Sequence, residues 1–307
     1  MNLMYRRRTG NRRRRTPRKV QPKSQPNSQC GSEETRQQLS LHLKKNLNRT
    51  LLSNLSSFVA AVRFLTIIPL PGRFGSGSEE LARAVPFFPL VGLLLGCVAV
   101  PIAWGLHTLA PPLATAVLLV FLLLSFSGGL HLDGLADTAD GFFSARPREQ
   151  MLKIMRDSAT GAMGVIALVL VLVLKVACLS TMPGNTLVVS VFLIPIAGRI
   201  AILLLMGLLP YIRPEDGIGS VFSTYYDNRH AMTMALAGLI AFGGTAWAAA
   251  GSRGVLAAFV VLLLPALFAV FCRRKIGGVT GDTLGAVCEL TEAVVALVFV
   301  LRIGGGA

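Results

Sequence analysis

The chain has 307 residues, 53% of them hydrophobic and only 15% charged, with a mean hydropathy of +0.62. That balance excludes an ordinary water-soluble globule and requires apolar surface to be buried in lipid. The charge is lopsided: 14 of the 30 Lys and Arg precede Leu55 against two acids there, so +12 of the net +15 belongs to that segment.

From Met1 to Asn54 the chain is rich in Arg, Pro, Ser, Asn and Gln, with Arg6–Arg8 and Arg12–Arg15 as blocks. Such a stretch buries too little surface to fold alone, and it reads as a disordered cytoplasmic extension touching anionic membrane lipid rather than as a nucleic-acid arm. A secretory signal is excluded because roughly 40 polar residues separate the charges from the first apolar run. The sequence thus divides into an extension, 1–54, and a membrane-embedded domain, 55–307. The five cysteines are scattered, odd in number and without C-x-x-C spacing, so neither a disulfide framework nor a zinc site is expected.

Phe58 to Leu70 is apolar but carries Arg63 and ends in Pro69, Leu70, Pro71 and Gly72. It falls short of the ~20 residues needed to span a bilayer, which predicts a short interfacial or re-entrant helix. Seven longer stretches then read as spanning helices: Pro86–Ala110, Leu113–Leu130, Ala162–Met182, Thr186–Leu209, Ala231–Ala250, Val255–Phe271 and Gly285–Ile303. Turn residues separate them, as at Pro111-Pro112 and Pro183-Gly184-Asn185. The expected fold is all-α, a polytopic helix bundle.

If the N-terminus is inside, the cytoplasmic segments hold 26 of the 30 basic residues, and the opposite face holds only Arg253 and Arg302. The positive-inside bias favours that orientation, with the acidic loops on the cytoplasmic face of a bacterial inner membrane. The acids separate as completely. All 15 lie in cytoplasmic segments or, for Glu289 and Glu292, in the first two turns of the last helix. A pore or a midplane-site transporter would be expected to place carboxylates deep in the membrane. A layer of acids at one surface suits an enzyme.

The most informative stretch is GGLHLDGLADTADG, Gly128 to Gly141. On a helix Asp133, Asp137 and Asp140 stand at i, i+4 and i+7, within about 60° of one another. Three carboxylates on one face repel unless a cation joins them, and hard oxygen ligands suit Mg2+ completed by water and substrate phosphate. Asp157 follows in MRDSATGAMG, with Lys153 and Arg156 one turn earlier as cations able to grip phosphate. GGVTGDTLGAVCELTE supplies Asp282, Glu289 and Glu292 among glycines that admit close approach, outlining a wet acidic pocket. Lys175 and Arg199 are expected within the membrane, where each must face the interior, snorkel or find a carboxylate. His131, two residues before Asp133, is a candidate ligand or proton carrier, with a helix-end hydrogen bond as the plainer role.

From Phe58 onward the chain resembles the cobalamin synthase family, the adenosylcobinamide-GDP ribazoletransferases. The resemblance rests on FLTIIPLPG, GGLHLDGLADTADG, MLKIMRDSATGAMG, IPIAGR around Arg199 and GGVTGDTLGA, in this order within a polytopic protein. It implies that adenosylcobinamide-GDP and α-ribazole, or its 5'-phosphate, react with Mg2+ to give adenosylcobalamin, or its 5'-phosphate, and GMP. By that resemblance Asp133, Asp137, Asp140, Asp157 and Asp282 are the expected catalytic residues, the first three as metal ligands and the other two as further ligands or base. His131, Lys153, Arg156, Arg199 and Glu289 are the expected substrate contacts. Homo-oligomerisation and association with other enzymes of the pathway stay open. Two alternatives have less support: a CDP-alcohol phosphotransferase, whose D-G-x2-A-R signature fails here for want of the Arg, and a transporter with a basic tail.

Overall fold

Apolar stretches in lipid can satisfy their backbone only internally, which makes helices the natural solution for this chain. A computed structural model describes residues 30–72, 74–212 and 228–301, and these are almost wholly helical. The arginine blocks Arg6–Arg8 and Arg12–Arg15 lie outside the described residues. Two compact units divide the chain, Met1–Thr50 and Leu51–Ala307.

The helices are α1 (Cys30–Leu65), α2 (Ser78–Ala82), α3 (Phe88–Leu109), α4 (Pro112–Phe126), α5 (Leu130–Phe143) and α6 (Arg148–Ile154). They continue as α7 (Ala162–Thr181), α8 (Gly184–Leu208), α9 (Asn228–Ala250), α10 (Ser252–Lys275) and α11 (Gly281–Val300). Among the described residues six helices are long and apolar enough to cross a membrane: α3 with the turn before it, and α7 through α11. A seventh span arises if α4 and α5 are counted together, so the protein is a multi-pass membrane protein.

Three expectations change. Leu113–Leu130 was expected to be one spanning helix, but α4 stops at Phe126 and meets α5 at 90°. The bend lies at Gly128 and Gly129, with φ of 60° and 79°, a left-handed conformation that glycine adopts without steric penalty. Phe58–Leu70 is not a separate short helix either. Its first part is the end of α1, with Ala60, Ala61, Val62 and Leu65 buried, and the chain leaves the helix after Leu65. Arg63 explains the break, because its guanidinium donates to the carbonyls of Leu70 at 2.8 Å and Gly72 at 2.6 Å and so pins the turn. The basic extension, expected to be unfolded to Asn54, is helical from Cys30 onward.

Within the membrane unit α8 and α11 are buried on most sides, whereas α3, α7, α9 and α10 each keep an outward apolar face. Trp104 of α3, Leu170 of α7, and Ile240 and Trp247 of α9 belong to that outward surface. Small residues let the central helices touch, as is common where water exclusion cannot drive helix association. A Cβ on Gly96 of α3 would stand 2.5 Å from the carbonyl oxygen of Phe192 in α8. A Cβ on Gly198 of α8 would stand 2.6 Å from the Cys288 sulfur in α11. At one end of the bundle the chain leaving α8 pairs with the approach to α11. The Ile212 amide donates to the Val279 carbonyl at 3.0 Å, and the Val279 amide donates to that of Pro210 at 2.9 Å.

Candidate active site

The N-terminus of α11 is set by Thr280, whose hydroxyl accepts from the Thr283 amide while the Thr283 hydroxyl accepts from the Thr280 amide. This reciprocal cap satisfies two otherwise orphaned donors and leaves Asp282 in the first turn. Against that turn lies α5. A Cβ on Gly134 would meet the Asp282 carbonyl at 2.7 Å and its Cα at 2.9 Å, and one on Gly285 would meet the His131 carbonyl at 3.0 Å. Because two glycines face each other, the backbones nearly touch, and Asp133 of α5 and Asp282 of α11 border the same cavity of about 200 Å3. Its other walls come from α1, α3, α8 and Tyr211. A second, more open cavity of about 650 Å3 lies on the other side of Asp133 and is also bordered by Ser127, Gly128, Gly129 and Thr160.

The three carboxylates of α5 part company. Asp133 is exposed and reaches both cavities. Asp140 instead accepts the amides of Gly161 at 2.6 Å and Gly164 at 2.8 Å, so it caps the first turn of α7, where the helix dipole favours a negative charge. Asp137, half-buried, borders neither cavity. Among the described residues no group of three His, Cys, Asp or Glu converges in a way that could hold a metal ion. In the first turn of α11 the Asp282 carboxylate accepts from the Thr280 hydroxyl at 3.3 Å. Asp133 and Asp282 are therefore the pair the fold brings together, and a pair suits Mg2+, which usually takes one or two carboxylates and fills its shell with water and substrate phosphate.

Asp157 lies in the exposed turn between α6 and α7 and accepts the Ala159 amide at 3.2 Å. Lys153 and Arg156 are exposed on the same segment. None of the three borders either cavity, but their loop ends at Thr160 in the wall of the open one.

Arg199 and Glu289, expected as substrate contacts, border neither cavity. Lys175 of α7 donates to Glu289 at 2.7 Å and to Glu292 at 2.8 Å, and Arg199 of α8 donates to Glu292 at 2.6 Å. All four side chains are at most 5% exposed. Two cations meet two anions, so the cluster is formally neutral, and it binds α7 and α8 to α11 about two turns below Asp282. The "wet acidic pocket" of the sequence is thus half dry: Asp282 opens on the cavity, whereas Glu289 and Glu292 neutralise membrane-buried cations. His131 is buried beside this cluster, and its Nε2 has no hydrogen-bond partner among the described residues.

The sequence reading missed Phe64, Phe88 and Tyr211, which wall the smaller cavity. Only their aromatic character in otherwise aliphatic surroundings could have marked them.

A multi-pass bundle in which two carboxylates, Asp133 and Asp282, border cavities at one end has the arrangement of a membrane-embedded enzyme. The chain belongs to the cobalamin-5-phosphate synthase family, whose model matches residues 57–300. It is 38% identical to the adenosylcobinamide-GDP ribazoletransferase of Desulforamulus reducens over 80% of this chain and 96% of that one. It is 37% identical to that of Acetivibrio thermocellus, over 80% and 98%. With that of Escherichia coli it shares 38% identity, over 78% and 97%. No solved structure matches the chain. Membership of this family sets aside the phosphotransferase of CDP-alcohols and the transporter.

The ion cluster makes a prediction of its own. Glu292→Gln leaves Lys175 and Arg199 with one carboxylate between them, and an uncompensated buried charge costs roughly 3–5 kcal/mol. Thermal unfolding in detergent should show a large loss of stability, which the double variant Glu292→Gln with Arg199→Gln should partly restore.

Proposed function

We propose that this site joins adenosylcobinamide-GDP to α-ribazole, as the names of its relatives describe, releasing GMP in the final assembly of a cobalamin. The observation that supports it most is the meeting of Asp133 and Asp282 in one cavity at the end of the bundle, within the two stretches that carry the family resemblance.

A ribose hydroxyl of the ribazole attacks the phosphorus on the cobinamide side of the diphosphate. The new bond is oxygen to phosphorus, and the bond that breaks joins that phosphorus to the bridging oxygen, which leaves with its electron pair on GMP. The hydroxyl proton passes to a carboxylate of the site, as general-base catalysis of such a displacement requires. Asp133 and Asp282 would hold Mg2+ here, and its charge would neutralise the diphosphate oxygens as the leaving group departs. Asp140 acts at one remove by fixing the start of α7, and with it the end of the segment on which Lys153, Arg156 and Asp157 lie. In this reading those two cations draw in the phosphates of an anionic substrate through their field rather than by contact.

The site faces the cytoplasm in this reading. Support comes from the 26 basic residues that one orientation places inside. An introduced cysteine, Ser144→Cys on the loop after α5, should react with an impermeant reagent only after cells are opened. Reaction from outside intact cells would reverse the orientation.

Asp282→Asn preserves size and removes one charge from the pair. GMP release from purified protein should fall by about 100-fold or more, since metal stabilisation of transferred phosphate contributes several kcal/mol. The Mg2+ concentration for half-activity should rise while the unfolding temperature stays near that of the parent. Full activity with an unchanged Mg2+ requirement would remove Asp282 from the chemistry.

A further inference from the structure

The two cavities beside Asp133 differ in ways that bear on which substrate enters each. The smaller, of about 200 Å3, is the more enclosed, and aromatic and aliphatic side chains supply most of its wall. Phe64 and Phe88 lie with ring centroids 6.0 Å apart and planes 26° from parallel, and both border it together with Tyr211 and Met206. The larger, of about 650 Å3, is more open, and Thr66, Ser127 and Thr160 add hydroxyls to its wall. Phe64, Leu130 and Asp133 border both, so the two spaces meet at the carboxylate.

Resting on the transfer reaction proposed above, we infer that the enclosed aromatic cavity is the acceptor subsite, which takes the flat base of the ribazole, and that the open cavity takes the diphosphate end of the corrinoid. Size decides part of this. A corrin cannot enter a space of this volume, whereas one flat bicyclic base can, and the open chamber lets the phosphates reach the boundary of the two spaces, where Asp133 borders both and Asp282 the enclosed one, while the macrocycle stays outside. Chemistry decides between the ribazole base and guanine, the other flat ring in the reaction. Guanine presents several donors and acceptors along its edge, and those that face the apolar part of the wall, away from His131, Asp133, Tyr211 and Asp282, would be buried without partners at a cost. The benzimidazole-type base of the ribazole has a single free ring nitrogen and otherwise apolar edges, which suit walls of Phe64, Phe88 and Met206. With the base seated there, the ribose attached to it emerges at Asp133, where the hydroxyl meets the phosphorus arriving from the other chamber. The arrangement gives the enzyme two substrate entrances and one meeting point.

The inference is tested by filling each chamber separately. Met206→Trp should raise KM for α-ribazole by about tenfold or more and leave KM for adenosylcobinamide-GDP within about twofold. Thr160→Trp, in the wall of the open chamber, should do the reverse. Should the larger side chain at Met206 prevent folding, Met206→Cys reads the same cavity directly: α-ribazole should slow its alkylation in detergent, and GMP should not. Protection by GMP without protection by α-ribazole, or a Met206→Trp protein with its KM raised only for the corrinoid, would overturn the assignment. A parent protein that releases no GMP from the two substrates would instead overturn the proposed reaction, and the alkylation result would still report which ring the cavity holds.

Discussion

The contact between Gly134 and the first turn of α11 is the constraint on which the site depends. A carbon atom added at Gly134 would lie 2.7 Å from the Asp282 carbonyl, so any other residue there would drive α5 and α11 apart. Gly285 removes the matching side chain from the facing helix. With both absent, Asp133 and Asp282, which are 149 positions apart in the numbering, border one cavity. The bend at Gly128 and Gly129 serves the same end, because it turns α5 away from the line of α4 and lays it across α11.

Close approach alone would leave α11 free to slide or rotate, and the buried charges remove that freedom. Lys175 and Arg199 reach Glu289 and Glu292 from two different helices, at distances of 2.6–2.8 Å. Charges in a bilayer are expensive unless paired, so the lipid itself enforces the pairing and with it the rotation of α11. Glycine contact sets the depth at which the helices meet, and the cluster sets which face of α11 is presented. Asp140 extends the same logic to α7, whose first amides it binds.

Much of this was legible in the sequence because the bilayer imposes a strong pattern. Hydropathy located every long span, and turn residues such as Pro111-Pro112 marked the breaks between them. The aspartate-rich stretch also supplies Asp133, which borders both cavities of the candidate site. Helical periodicity, however, grouped Asp133, Asp137 and Asp140 as equals, and it could not show that Asp140 meets amides 21 and 24 positions downstream, a contact that exists only once α7 packs against α5. Glu289 and Glu292 were read with Asp282 because they follow it closely, yet a helix carries them two turns deeper. Two unpaired cations in apolar helices and two acids in another were an available signal, and matching them would have found the cluster. The 90° bend was hidden because a glycine pair inside an apolar run has no distinct hydropathy. Phe64, Phe88 and Tyr211 come from three separate segments and converge only in the folded bundle.

The central claim is that Asp133 and Asp282 act as one unit on one phosphate. A double-mutant cycle measures this directly, since groups that share a ligand lose their effects together rather than in sum. GMP release would be compared for the parent, Asp133→Asn, Asp282→Asn and the double variant, each checked for an unchanged unfolding temperature. The account predicts a double variant scarcely slower than the slower single one. Effects that multiply, so that the double variant shows the product of the two single losses, would mean that the carboxylates work independently and would contradict it.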